Sequence, residues 1–167
     1  MAITTDRAVV NDLISWADRR DLTVTPLQAH KLVYLAYGEI LAETGQQLFE
    51  EPIEAWKFGP VVPDLYHALK RYGSGPITEP LPKRGTHIRM IDRLRPARTQ
   101  DDDVAAKLHD VWNRYAHLPG EELVRLTHLP GTPWHLVWNR MGGRERLGAK
   151  IPDSLIYAFF REGVVAP

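Results

Sequence analysis

One stretch of the chain joins a short apolar–polar alternation, a glycine–proline pair and the start of a helix: Pro52-Ile53-Glu54-Ala55-Trp56-Lys57-Phe58-Gly59-Pro60-Val61-Val62-Pro63-Asp64-Leu65-Tyr66-His67. Residues 53–58 alternate β-branched or aromatic side chains with charged ones, which predicts a short strand. The pair Gly59-Pro60 is interpreted as the turn that ends this strand, and Pro63 begins a helix. Residues 87–91 are expected to pair with the strand. The sequence therefore predicts a small β element between helices.

Helical spacing of apolar residues accounts for most of the remaining chain. The clearest start signal is Thr25-Pro26-Leu27-Gln28, a capping box with proline at the first helical position, and Gly45 is a suitable stop. Further helices are predicted within residues 6–20, 63–72, 101–115, 119–128, 132–138 and 151–163. We expect a mainly α-helical, compact single-domain bundle of about six to seven helices over residues 1–167, with a small two- or three-stranded β element.

Composition narrows the class of protein. The chain has 167 residues, of which 44% are apolar and 25% charged, as in ordinary soluble domains. The absence of cysteine excludes a disulfide framework, a thiolate zinc site and a cysteine nucleophile. The first residues show no secretion signal, and no apolar run is long enough to span a membrane. We expect a cytoplasmic protein with no membrane partner.

The formal net charge is zero, but positive charge is concentrated in residues 83–98. Six basic residues there face a single acidic residue, Asp92. Such a stretch can contact an acidic protein surface or phosphates. It can also be a solvated loop and strand edge. The zero net charge favours this second interpretation. The candidate basic interface within it consists of Arg89, Arg93, Arg95 and Arg98.

The motifs of enzyme chemistry are missing from the chain. Its seven histidines do not occur as His-Glu-x-x-His or at another ligand spacing, and neither a Gly-x-Ser-x-Gly elbow nor a phosphate-binding Gly-x-x-x-x-Gly-Lys loop is present. Trp56 and Trp134 flank turns, where an indole serves either as a core plug or as a binding hot spot. We assign no catalytic, metal-binding or cofactor-binding residue and expect a protein that is not an enzyme.

Three segments carry a family signature: residues 25–36, which include Lys31 and Tyr34; residues 48–63, which include Trp56-Lys57-Phe58-Gly59-Pro60; and Leu126-Thr127-His128 followed by Pro133-Trp134. Together they resemble the Panacea domain, the family of SocA-like antitoxins earlier described as GepA-type phage-associated proteins. The resemblance extends over about residues 7–160. His30 departs from it, because members of the family often have glutamine at this position.

The resemblance implies an antitoxin that binds and neutralises a cognate protein toxin encoded nearby, and that can also act as an adaptor delivering the toxin to the ClpXP protease. The candidate partner-binding or family-signature residues are Lys31, Tyr34, Trp56, Lys57, Phe58, Gly59, Pro60, His67, His128 and Trp134. Whether they form scaffold or interface is left open by the sequence. The alternatives are a nucleic-acid-binding autoregulator and a hydrolase in which His67, His128 or Glu54 would converge.

Overall fold

The structure, a computed structural model, describes residues 1–84 and 96–163. The described helices are α1 (Asp6–Asp18), α2 (Pro26–Thr44), α3 (Pro63–Leu69), α4 (Asp102–Tyr115), α5 (Gly120–His128), α6 (Pro133–His135) and α7 (Asp153–Arg161). Helix α3 continues as a 3-10 turn (Lys70–Tyr72) and α6 as a π-helical turn (Leu136–Arg140), and a further 3-10 turn spans Gly143–Glu145. Strands β1 (Glu54–Trp56) and β2 (Gly59–Val61) form an antiparallel hairpin. The predicted mainly helical class with a small β element is confirmed.

Helix α2 forms the centre of the fold. Its capping box is present, since Thr25 Oγ1 accepts a hydrogen bond from Gln28 N at 3.3 Å and Gln28 Oε1 accepts one from Thr25 N at 3.0 Å. Gly45 ends the helix in the left-handed conformation, with φ +72°. Buried residues occur all round α2, which packs against α1, α4, α5 and α7. A helix that is apolar on every side has to lie inside the molecule.

The β element differs from its prediction. The turn is Lys57-Phe58, and Gly59-Pro60 lies in β2, with Trp56 opposite Gly59 and Ala55 opposite Pro60. Proline is accommodated there because the Ala55 N–H points to the other edge of β1, where it donates to Ala149 O at 2.8 Å. The chain near Lys150 thus lies along that edge. The expected pairing of residues 87–91 falls outside the described residues.

Helix α7 packs tightly against α2 at Gly38. A Cβ atom at this position would lie 2.2 Å from Cε2 of the Phe160 ring. We expect Gly38→Ala to lower the free energy of unfolding by about 2 kcal/mol, although alanine favours helices over glycine. Urea denaturation would measure the change. Adding Phe160→Leu to the variant should restore part of the loss, whereas unchanged stability in Gly38→Ala alone would contradict the contact.

Candidate functional site: a clamped hairpin

A buried lysine from α2 holds the second strand of the hairpin. Lys31 is only 1% exposed, and its Nζ donates a hydrogen bond to Pro60 O at 3.0 Å. Burial lowers the pKa of Lys31 to about 7. The same nitrogen lies against Gly59, where an added Cβ would be 2.8 Å from Lys31 Nζ and 3.0 Å from Thr127 Oγ1. Since Gly59 also has φ +108°, only glycine fits this position without strain.

Two aromatic side chains from α5 and α6 hold the other side of the turn. Trp134 is buried, and its Nε1 donates to Trp56 O at 2.7 Å. The His128 ring lies on Trp134 with centroids 3.7 Å apart; its Nε2 is 3.3 Å from Lys57 O and its Nδ1 is 2.7 Å from Val124 O. Three helices thus each place a side chain against a main-chain carbonyl of the hairpin. We call Lys31, His128 and Trp134 the clamp.

The clamp leaves the tip of the hairpin in solvent. Phe58 is 64% exposed, and Lys57 Nζ lies 5.4 Å from the centroid of its ring. An exposed phenylalanine adds little to the stability of the fold, because its apolar surface stays in water. Yet this one sits on a turn whose main chain is held by hydrogen bonds to buried side chains. The arrangement is a rigid support that presents an aromatic side chain outward.

Two other signature residues lie outside both the clamp and the hairpin. Tyr34 is buried in the core, edge-on to Phe160 at 5.7 Å between centroids, and within the described ranges its hydroxyl has no partner. Burial raises the pKa of Tyr34 above its ordinary value. His67 is exposed on α3, with its ring 5.6 Å from that of Tyr66. The signature residues therefore lie in the clamp, in the hairpin or in the core, and His67 lies on a neighbouring surface.

The candidate basic interface stays a prediction. Arg98 lies 3.5 Å from a carboxylate oxygen of Asp12, so a short-range partner on α1 already balances its charge in part. Arg89, Arg93 and Arg95 fall outside the described residues. The described surface next to the hairpin carries charge of the opposite sign.

Sequence reasoning missed this acidic surface. Arg84 contacts three carboxylates, with distances of 3.1 Å to Asp6, 3.2 Å to Glu51 and 2.6 Å to Asp64. These residues come from α1, the loop before β1 and α3, so only the tertiary fold brings them together. The signal in the sequence was Glu50-Glu51, for which solvation of a turn is a sufficient explanation when the sequence is taken alone.

The candidate metal ligands and the three residues of the hydrolase alternative do not come together in the described part of the chain. Within residues 1–84 and 96–163, no three His, Asp or Glu side chains are arranged to bind a metal ion. The three residues of the hydrolase alternative are engaged separately: His128 with the hairpin, Glu54 with Trp56 Nε1 at 2.8 Å, and His67 with Tyr66. Nor is any helix in this part of the chain both long and apolar enough to cross a bilayer.

The described fold is thus a mainly helical scaffold in which Lys31, His128 and Trp134 lie against the main chain of one exposed turn. Residues 30–135 match the family model "Antitoxin SocA-like, Panacea domain". The chain is 33% identical over 155 residues to Antitoxin SocA of Caulobacter vibrioides (strain NA1000 / CB15N), covering 93% of this chain and 81% of that protein. No solved structure matches. The chain belongs to the SocA-like antitoxin family with the Panacea domain, which supports an antitoxin role in a toxin–antitoxin system.

Proposed function

We propose that this protein is a cytoplasmic antitoxin that neutralises its cognate protein toxin by direct contact, with the hairpin tip as the central anchor of the interface. The observation that carries the proposal is the exposed Phe58 on a turn held by the clamp. Family membership supports the toxin as the partner.

Physical chemistry favours such a tip as a binding element. Aromatic side chains that enter a pocket on a partner are frequent hot spots of protein–protein interfaces. Burying most of a phenylalanine contributes about 1.5–3 kcal/mol. Because hydrogen bonds from Lys31 and Trp134 already fix the turn, little conformational entropy remains to be lost on binding. A rigid tip therefore binds more tightly than a flexible loop with the same side chains.

Phe58→Ala tests the anchor. We expect the dissociation constant for the purified toxin to rise by a factor on the order of 30 or more, as for truncation of a hot spot. The melting temperature should change by no more than about 2 °C, because the side chain is mostly in solvent. Leu22→Ala is the matched control, since Leu22 is 50% exposed and lies outside the hairpin and the clamp. Equal affinity of both variants and the natural protein would remove Phe58 from the interface.

Co-expression with the toxin encoded by the neighbouring gene tests the function itself. Growth and complex formation would be scored in cells with and without the ClpXP protease. We expect the antitoxin to restore growth and to be recovered with the toxin. Rescue in both strains means that occupation of the toxin surface suffices, and rescue only with the protease means that the protein delivers the toxin for degradation. Absence of both rescue and complex would contradict the proposed function.

A further inference from the structure

Trp56, on strand β1 of the hairpin, forms an aromatic pair with Tyr66 of α3. The rings of Trp56 and Tyr66 lie 4.9 Å apart at 63°, with Tyr66 40% exposed and Trp56 half-buried. His30 lies 6.2 Å from Tyr66 between ring centroids; it is 7% exposed, and its Nδ1 has no partner among the described residues. Burial lowers the pKa of His30 to about 3, so this ring is neutral. Tryptophan and tyrosine rings bind ammonium and guanidinium groups over their faces.

Four carboxylates and one cation line a groove of about 370 Å³: Glu50, Glu51, Glu54, Asp64 and Arg84. Its formal charge is −3 when all five groups are ionised. Glu54 joins the groove to the aromatic pair, because it accepts a hydrogen bond from Trp56 Nε1 at 2.8 Å. We call these five residues and the aromatic pair the acidic groove.

Internal contacts neutralise only part of this charge. Arg84 contacts Glu51 and Asp64 but also Asp6, whose pKa burial raises to about 6, with the nearby Glu51 charge adding to the increase. Glu50 and Glu54 form no ion pair within residues 1–84 and 96–163. Oε2 of Glu51 is buried and likewise lacks a hydrogen-bond partner there. A second positive charge would therefore stabilise this region.

We infer that the acidic groove binds a cationic segment of the toxin, with lysine or arginine side chains over the Trp56–Tyr66 pair and among the carboxylates, next to Phe58 in its own pocket. The inference rests on the proposed function and adds the chemistry of the partner. A metal ion is a poorer occupant, since no group of three ligands converges in the described part of the chain. A second copy is the other occupant to distinguish, because residues 83–98 of this chain are themselves basic.

The test is the double variant Glu50→Gln/Glu54→Gln in the full chain. Neither change breaks an ion pair of the described residues, and the amide oxygen of the new glutamine can still accept from Trp56 Nε1. Asp18→Asn/Asp21→Asn is the matched control, because it changes net charge equally at two exposed positions, the last residue of α1 and a residue of the following loop. Asparagine also tolerates the φ of +54° at Asp21. Association rates with the purified toxin would be measured for both variants and the natural protein at low and high salt, and sedimentation would report self-association.

We expect the groove variant to associate about tenfold more slowly at low salt, with a flatter dependence on salt, while the control stays within about twofold of the natural protein. If the groove variant binds the toxin with an unchanged association rate and salt dependence, the inference is overturned and the proposed function still stands. A dimer of the natural protein that the groove variant abolishes would overturn it in favour of a second copy. Failure of the natural protein to bind toxin would contradict the proposed function itself.

Discussion

Gly59→Ala is expected to lower the free energy of unfolding by about 3 kcal/mol and to weaken toxin binding. Two costs combine at this position. A φ of +108° strains any residue with a side chain, by about 1–3 kcal/mol. The new Cβ would also lie 2.8 Å from Lys31 Nζ and 3.0 Å from Thr127 Oγ1, so the hydrogen bond to Pro60 O would have to shift. The loss should appear as a fall of about 6–12 °C in melting temperature.

Gly131→Ala separates the two costs. Gly131 also has a positive φ, +86°, but a Cβ there meets no atom within 4 Å. This control should lose only the conformational part, about 1 kcal/mol, and keep its affinity for the toxin. If both variants were destabilised equally, the close contact of Lys31 with Gly59 would play no part in holding the hairpin.

Lys31→Met is expected to remove a pH dependence of stability that the natural protein shows. The pKa of Lys31 is about 7 in the folded protein against 10.5 for an ordinary lysine. Between these values the unfolded chain binds up to one proton more than the folded chain, so stability rises with pH. The slope contributed by this group approaches about 1.4 kcal/mol per pH unit. Below pH 7 both states are protonated, and the cost of burying the charge is fully present.

The measurement is urea denaturation from about pH 7 to about pH 9, the window in which Lys31 titrates only in the folded protein. Staying below this upper limit avoids Tyr34 and Tyr37, whose raised pKa values make stability fall as the pH approaches the tyrosine range. Lys70→Met is the control, because Lys70 is an exposed lysine and the change in charge is identical. This control should keep the slope of the natural protein. The same slope in Lys31→Met would contradict the assignment to Lys31.

Local signals predicted the helices well. The capping box at Thr25 and the stop at Gly45 bound α2 in the structure as in the sequence. Asp101 caps α4 by accepting a hydrogen bond from Val104 N at 3.0 Å, and Thr132 caps α6 by accepting one from His135 N at 3.2 Å. Each of these caps involves residues only three or four positions apart, so both hydrogen-bonding partners can be recognised in the local sequence.

The hairpin shows where local signals fail. Gly59-Pro60 is typical of a turn, but the pair lies in a strand. Two contacts with distant residues place the pair in the strand. The N–H of Ala55 donates to Ala149 O, so Pro60, which has no N–H, can lie opposite Ala55. Lys31 Nζ donates to the carbonyl oxygen of Pro60. Neither contact can be recognised from residues 53–63 alone.

Local patterns were sufficient to predict the helical class, the start and end of α2, and the signature residues, because helix caps, apolar spacing and residue identity act over short distances along the chain. The folded structure was needed to show that Lys31, His128 and Trp134 form one clamp, that Phe58 lies at the exposed tip of the hairpin and that an acidic groove adjoins it. These groups are far apart in sequence, and what joins them is packing around α2, which a linear pattern does not contain.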